Sequence, residues 1–386
     1  MRVLVLTDSL SDLDGVGRYT LRLYRALERL EPGLKVEIML ARKHRPTSAE
    51  VPGHWPLSVG LPPDYFYYMG PLRFWASALL STWRVARAAR RADVVHAVKD
   101  YPHSLVGVLG ARLAGKPCVA TAHGTYTVAP LQSARHGRLA RWVHGQMARM
   151  ISASRYTRGR LLDVLGEEAL GSVEVIPNRV EAAAYLAERA VGDVPWRGKQ
   201  YTLSIGELKE RKGHHLALAA WLRLASEHPE LEHFIVGNLA GDDYEARLRA
   251  QVSAAGCGER VHFLGNVSED EKVDLLQRAR VFVHTPVTAA DGGFEGFGIV
   301  YLEAAAAGTA ALGTLHCGAE DAIVDGVTGL LVEPEVDAVA AGLGRLLGDF
   351  ETRTKMEVAG REHALASSWE ENAARVLALY SQVCRR

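Results

Sequence analysis

The chain has 386 residues, 48% of them hydrophobic and 23% charged, and its basic and acidic side chains balance to a net charge of zero. This length suits two domains, and the composition is that of a soluble globular protein. No apolar run approaches the ~18 residues that a membrane-spanning helix needs. The opening MRVLVLTDSLSD is typical of a first strand rather than of a signal peptide. Four widely separated cysteines without metal-ligand spacing favour a reducing cytoplasm.

The zero net charge hides an asymmetry between the two halves of the chain. Residues 1–190 carry 26 basic and 16 acidic side chains, whereas the remainder carries 19 and 29. The basic half would suit an anionic partner such as membrane headgroups, a phosphorylated lipid or nucleic acid. Nucleic acid is the weakest of the three, because the sequence has no recognised nucleic-acid-binding motif.

Predicted strands and helices alternate from the first residues onward. The first half contains the strand patterns VLVLT (3–7), KVEIML (35–40), DVVHAV (93–98) and PCVATAHG (117–124), with helical patterns at 18–30 and 104–115. Strand patterns that are apolar throughout indicate strands buried on both faces, and hence a parallel sheet covered by helices.

The alternation restarts after VGDVPWRGKQ (191–200), which is predicted to be a linker. The second half contains YTLSIG (201–206), HFIVGN (233–238), VHFLGNV (261–267), RVFVHTP (280–286), AALGT (310–314) and TGLLVEP (328–334), with helical patterns between them. We therefore predict two doubly wound α/β domains, at 1–190 and 195–368. Ligands of such sheets bind outside the carboxyl ends of the strands, so the strand-to-helix turns should hold the functional residues, at a cleft between the domains.

The first turn contains Gly15, Val16 and Gly17 just before a helix predicted to begin near Arg18. Glycines let backbone N–H groups approach an anion at a helix N-terminus. The G-x-G-x-x-G dinucleotide pattern is not matched, because the third position is Thr20, so NAD binding fits poorly. A tight turn without a ligand explains the same glycines equally well.

Two further turns carry polar residues. His123 follows a buried strand and precedes Gly124, which places it where a cleft residue could bond a sugar hydroxyl; a buried histidine bonded to the backbone is the alternative. Lys209, Arg211 and Lys212 lie just before a helix, where cations are unfavourable unless an anion such as a diphosphate binds there too. A solvated surface loop is the alternative for these three.

The stretch FEGFGIVYLEAAAAG (294–308) places two glutamates eight positions apart. Gly296 and Gly298 disfavour helix, whereas IVYLEAAAA favours one that ends at Gly308, so Glu295 should lie in a loop and Glu303 in the first turns of the helix. The free N–H groups of the helix start would lie between them. This arrangement suits a nucleotide sugar, with carboxylates for hydroxyls and the helix end for a diphosphate. Two solvated surface charges are the alternative.

Taken together, these turns resemble the family-four retaining glycosyltransferases of the GT-B fold, over nearly the whole chain. Glu295 and Glu303 resemble the E-x7-E signature of the family. Further matches are GAEDAIVDGVTGLLV (318–332), VIPNRV (175–180), DGVGR (14–18), TAHG (121–124) and SWEENAARVLALY (368–380). The last of these resembles the final helix of the family, which implies that residues 369–386 return to the first, acceptor-side domain.

The resemblance implies a role for each matching residue. Glu295 would lie by the hydroxyls of the donor sugar, Glu303 by the ribose and His123 beside the sugar ring. The implied catalytic residues are His123, Glu295, Lys212 and Arg211. The implied donor-binding residues are Gly15, Val16, Gly17, Glu303, Gly296, Phe297, Gly298 and Ile299.

Some positions depart from the family pattern. Glu207 stands where the family usually has an arginine for the diphosphate, so either Arg211 supplies that charge or Glu207 faces away. Asn178 is followed by Arg179 instead of glycine, and Asp321 replaces the usual glutamate. The roles of Glu207, Asn178 and the Asp14 that precedes the glycine turn are left open.

The resemblance implies a retaining, metal-independent transferase without a cofactor, using a UDP- or GDP-sugar for cell-surface polysaccharide or glycolipid assembly. A non-catalytic nucleotide-sugar-binding relative and a GT-B epimerase are the alternatives. The aromatic and arginine-rich stretches 63–91 and 134–150 suit the anionic inner face of a membrane, where a lipid-linked saccharide acceptor would lie. An ordinary core helix with solvated arginines fits them equally well.

Overall fold

The computed structural model describes residues 1–11, 14–42 and 50–385, without the side chains of residues 64 and 170. The chain divides into two compact units. The first comprises Met1–Asn178 and Trp369–Arg386, and the second comprises Arg179–Ser368. Each unit is built around one sheet.

The first unit is a seven-stranded parallel sheet with helices on its faces. Its strand order is β3-β2-β1-β4-β5-β6-β7. In chain order its elements are β1 (Arg2–Thr7), α1 (Gly15–Leu30), β2 (Lys35–Ala41), β3 (Leu57–Leu61), α2 (Pro71–Ala89), β4 (Val94–Ala97), α3 (His103–Leu113), β5 (Cys118–Ala122), α4 (Thr125–Gln132), α5 (Gly137–Gly145), β6 (Arg149–Ser152), α6 (Arg155–Leu165) and β7 (Val173–Val175).

The second unit is a six-stranded parallel sheet with the order β10-β9-β8-β11-β12-β13. Its elements are β8 (Gln200–Ile205), α7 (His214–Leu224), β9 (Leu231–Val236), α8 (Asp243–Ala254), β10 (Val261–Gly265), α9 (Glu269–Arg278), β11 (Val281–Val283), α10 (Ile299–Ala307), β12 (Ala311–Thr314), β13 (Gly329–Val332), α11 (Val336–Gly348) and α12 (Phe350–Ala366). The predicted pair of parallel-sheet α/β domains is confirmed.

The final helix, α13 (Trp369–Cys384), packs on the first unit. Its buried face includes Trp369 and Tyr380, which join the core around α1 and β1. The Tyr380 hydroxyl lies 2.9 Å from that of Tyr24 and 2.6 Å from Nδ1 of His96, and all three side chains are buried. Apolar burial and a satisfied polar network therefore hold this helix against the first sheet.

The segment 191–200 is attached to the second unit by its tryptophan. Trp196 is 3% exposed, packs against Phe234 in the core, and donates from its indole N–H to Asp274 at 2.8 Å. The glycine, proline and charged residues around Trp196 are typical of a linker. Nothing in this composition indicates that one large side chain packs into a core.

Candidate active site

The turn after β8 and the loop after β11 bring the predicted diphosphate and sugar residues together. β8 and β11 are hydrogen-bonded neighbours in the parallel sheet, so their carboxyl ends lie side by side. Arg211 and Lys212 follow the first strand, and Glu295 follows the second. Residues 83 positions apart in sequence therefore meet because of the sheet order.

Glu295 lies at the centre of a buried cluster of charged and polar side chains. Its exposed fraction is 8%, and it accepts a hydrogen bond from the Lys212 ammonium. Its carboxylate also lies 4.0 Å from the Arg211 guanidinium and 3.6 Å from Nε2 of His284. Burial alone would raise the pKa of Glu295, but Lys212, His284 and Arg211 hold it well below its usual range. The carboxylate is therefore ionised at neutral pH.

The start of α10 supplies backbone donors beside this cluster. Gly298 precedes the helix in the left-handed conformation, with φ of 80°, which a residue with a side chain rarely adopts. Within the described residues no side chain caps the helix start. Phe297 is buried and Ile299 is half-buried here. The position suits an anion.

The loop that carries Glu295 is supported by the downstream GAED turn. The Gly318 amide donates to the Glu295 carbonyl at 2.9 Å. A Cβ atom at Gly318 would lie 2.3 Å from the backbone of Gly296, so only glycine fits. This contact gives a physical reason for the two sequence patterns to occur together.

Glu303 is buried with a cation of its own. Its exposed fraction is 4%, and its carboxylate lies 3.3 Å from the ammonium of Lys272, which is 5% exposed. Lys272 also pairs with Glu269 at 2.8 Å and lies over the ring of Tyr185. Lys272 was not predicted from the sequence, because a lysine in an amphipathic helix is normally solvated and nothing in the pattern marks this one as buried.

The structure describes the surroundings of the residues that depart from the family pattern. Glu207 is exposed and pairs with Lys209 at 2.7 Å, not with the Arg211 and Lys212 cluster. Among the described residues His316 is the only non-glycine with positive φ, so Arg179 does not need the glycine conformation. Asn178, directly before it, is 6% exposed.

In the first unit, the glycine turn forms the start of α1. The helix begins at Gly15, not near Arg18 as predicted, because the Asp14 carboxylate caps it by accepting the Gly17 amide at 2.7 Å. A Cβ atom at Gly17 would lie 2.3 Å from the Ser11 carbonyl oxygen, so close backbone approach explains this glycine. Gly15 is exposed and Val16 is half-buried.

His123 lies at the carboxyl end of β5, near α1. Its Nε2 lies 3.1 Å from the Val98 carbonyl, and its ring meets the edge of Tyr19 at 4.9 Å. Burial lowers the pKa of His123 to about 4, so the ring is neutral at pH 7. The neutral ring donates from Nε2 to that carbonyl.

Three charged residues beside His123 were missed. Asp8 follows β1 and pairs with Lys99, which follows β4 with Asp100. Asp100 is 6% exposed, and burial raises its pKa to about 6. All three follow buried strands, so the strand-end rule that selected His123 would have found them.

Comparison with known proteins identifies the family of this chain. The model of the Glycosyltransferase Family 4 domain matches residues 13–183, and that of Glycosyl transferases group 1 matches residues 193–363. A GDP-mannose-dependent alpha-(1-6)-phosphatidylinositol monomannoside mannosyltransferase of Mycolicibacterium smegmatis is 31% identical over 297 residues, covering 72% of this chain and 74% of the relative. A phosphatidyl-myo-inositol mannosyltransferase of the same organism is 31% identical over 293 residues, covering 75% and 71%.

Solved structures share the fold. Anabaena HepE, solved in complex with UDP and glucose, superposes with a TM-score of 0.79 over 99% of this chain and 100% of HepE, at 20% identity. Sucrose-phosphate synthase from Thermosynechococcus elongatus gives a TM-score of 0.76 over 99% of both chains, at 21% identity. With the two family models and the relatives above, this shows that the chain belongs to glycosyltransferase family 4 and is a glycosyltransferase of the GT-B type.

Proposed function

We propose that this glycosyltransferase moves a hexose from a nucleotide-diphosphate sugar to an acceptor hydroxyl, with retention at the anomeric carbon and without a metal ion. The observation that carries the proposal is the buried Glu295 beside Lys212 and Arg211, at the uncapped start of α10. A carboxylate suits sugar hydroxyls, and the cations and helix N–H groups suit a diphosphate.

The reaction breaks the bond between the anomeric carbon and the diphosphate oxygen, on which negative charge develops. Lys212, Arg211 and the first N–H groups of α10 would stabilise this charge, which is the task a divalent cation performs in other enzymes. The acceptor oxygen would attack from the face that the diphosphate leaves. The acceptor proton passes to the departing phosphate oxygen, so no separate base is required.

The names of the relatives suggest which donor and acceptor to test first. The mannosyltransferase relative is described as GDP-mannose-dependent, and HepE was solved with UDP-glucose. Both mannosyltransferase relatives are named for phosphatidylinositol acceptors. We therefore propose GDP-mannose or UDP-glucose as donor and a glycolipid or lipid-linked saccharide as acceptor.

One face of α2 supports a membrane-bound acceptor. Leu72, Trp75, Leu79 and Trp83 recur at helical spacing and are 89%, 45%, 64% and 59% exposed, while the opposite face packs in the core. Arginines line the same helix, and Arg87 lies over the ring of Trp83. No helix in the described ranges is both long enough and apolar enough to span a bilayer. We propose that this face lies on an anionic membrane surface.

A donor screen with a matched variant tests the catalytic proposal. Purified protein would be incubated with GDP-mannose or UDP-glucose, and nucleoside diphosphate release would be measured with and without a phosphoinositide acceptor. Glu295→Gln keeps the size of the side chain and removes its charge, so turnover should fall about tenfold to a hundredfold. Equal release by wild type and Glu295→Gln would refute the proposed role of Glu295.

Sedimentation with liposomes tests the membrane proposal. Binding should rise with the content of anionic lipid, fall in high salt, and fall when Leu72, Leu79 and Trp83 are changed to serine or when Arg84, Arg87, Arg90 and Arg91 are changed to serine. The matched control is Phe350→Ser with Leu365→Ser, which removes exposed apolar side chains from α12. Protein that stays in the supernatant at every lipid composition would make a soluble acceptor the better hypothesis.

A further inference from the structure

His284 is a buried histidine for which the protein itself provides no strong hydrogen bond. It follows β11 directly, and its exposed fraction is 1%. Within the described residues neither Nδ1 nor Nε2 has a hydrogen-bond partner. A buried polar group without a partner costs roughly 1–3 kcal/mol, so such a group calls for an explanation.

The nearest acceptor to this ring is the carboxylate of Glu295. Nε2 of His284 lies 3.6 Å from Oε2 of Glu295, which is an ion–dipole contact somewhat longer than a hydrogen bond. The other charged and titratable groups facing the ring include Lys212, Arg211, His214 and Tyr301, whose ring lies 5.3 Å from that of His284. Burial lowers the pKa of His284, so the ring is neutral at pH 7 and can donate from only one nitrogen.

The contact between His284 and Glu295 matters because Lys212 is assigned to two anions. Its ammonium binds Glu295, but the proposed function also assigns it to the diphosphate of the donor. A lysine that turns toward phosphate leaves a buried carboxylate with one donor fewer, and a carboxylate that is not held in place would orient the sugar poorly for transfer.

Resting on the proposed function, we infer that His284 is a positioning residue for Glu295. As the Nε2–H tautomer, its neutral ring donates to the Glu295 carboxylate and keeps it in place and ionised when Lys212 moves to the diphosphate. Hydrogen bonds between catalytic groups often tighten when the substrate binds.

The test compares two replacements of His284 in the full-length protein. Leucine has a similar volume and no donor, whereas glutamine carries an N–H group at about the reach of Nε2. His284→Leu should lower kcat about tenfold to a hundredfold with little change in donor KM. The acid limb of its pH–rate profile should move to higher pH, because Glu295 loses a donor. His284→Gln should recover most of the rate and the wild-type profile.

Ring ¹⁵N chemical shifts of selectively labelled protein give a second measurement that needs no turnover. We expect the neutral Nε2–H tautomer at His284, assigned by loss of its signals in His284→Gln. An Nδ1–H tautomer, a wild-type rate and profile in His284→Leu, or equal loss in both folded variants would overturn the inference. If Glu295→Gln leaves transfer unchanged, the proposed function fails instead, and the tautomer still decides whether His284 donates to Glu295.

Discussion

Replacing Glu303 by alanine should lower both donor affinity and the stability of the second unit, because Glu303 is the buried partner of a buried lysine. The side chains of Lys272 and Glu303 are 6% and 5% exposed, with 3.3 Å between the ammonium and the carboxylate. Without Glu303, the Lys272 charge would keep the ring of Tyr185 and Glu269, whose side chain is 52% exposed.

The size of the stability loss follows from this geometry. Removing one partner of a buried ion pair costs ~3–5 kcal/mol, and the remaining contact to Glu269 favours the lower end. For a unit of this size, about 3 kcal/mol corresponds to a fall in Tm of about 6–12 °C. The family resemblance implies that Glu303 also accepts a hydrogen bond from the ribose, and loss of that bond should weaken donor binding about tenfold to a hundredfold.

A double variant separates the two effects. In Lys272→Met with Glu303→Leu no charge is left buried, so the Tm should return most of the way to wild type, while donor affinity stays low. Thermal unfolding with and without GDP-mannose or UDP-glucose measures both quantities. A Glu303→Ala variant that unfolds at the wild-type temperature, or a double variant that is no more stable than the single one, would contradict this prediction.

Three further predictions concern charge. Arg211→Ala should reduce turnover about as much as Lys212→Ala. The control is Lys209→Ala, which removes an exposed partner of Glu207 and should leave turnover near wild type. A harmless Arg211→Ala would show that Arg211 does not replace the missing family arginine. Transfer should continue in EDTA, and strict dependence on Mg²⁺ would contradict the metal-free scheme. Burial lowers the pKa of His96, His214 and His233 from 6.5 to about 3, so unfolding takes up protons below pH 6.5 and stability is lost between pH 6.5 and about 3. The loss at pH 5 should be about 2 kcal/mol per histidine, measured by urea unfolding against pH 7.

Most of the architecture was predictable because both sheets are parallel and buried. β1 and β5 are apolar on both faces, and such runs leave little choice but a sheet covered by helices. Burial of Trp196 was not predictable, because its neighbours in sequence resemble a linker and the contact to Asp274 lies 78 residues away.

The site residues also divide into those that could be predicted from the sequence and those that could not. Lys212, Glu295 and His123 follow buried strands, and the general rule for α/β sheets selects such positions. His284 also follows a strand, in RVFVHTP, and the same rule applied consistently would have selected it. Lys272 could not be found, because its burial depends on how α9 packs beside α10, which helical periodicity within one segment does not reveal.

The spacing of the two glutamates now has a physical explanation. Glu295 precedes α10 and Glu303 is its fifth residue, about 6 Å along the helix axis from the first. If one cation had to neutralise two buried carboxylates, the carboxylates would repel each other and take up protons. Here each has its own lysine, Lys212 from the turn after β8 and Lys272 from α9. The two sites can therefore fail separately: loss of Glu295 should reduce turnover, whereas loss of Glu303 should loosen α9 from α10 and weaken donor binding.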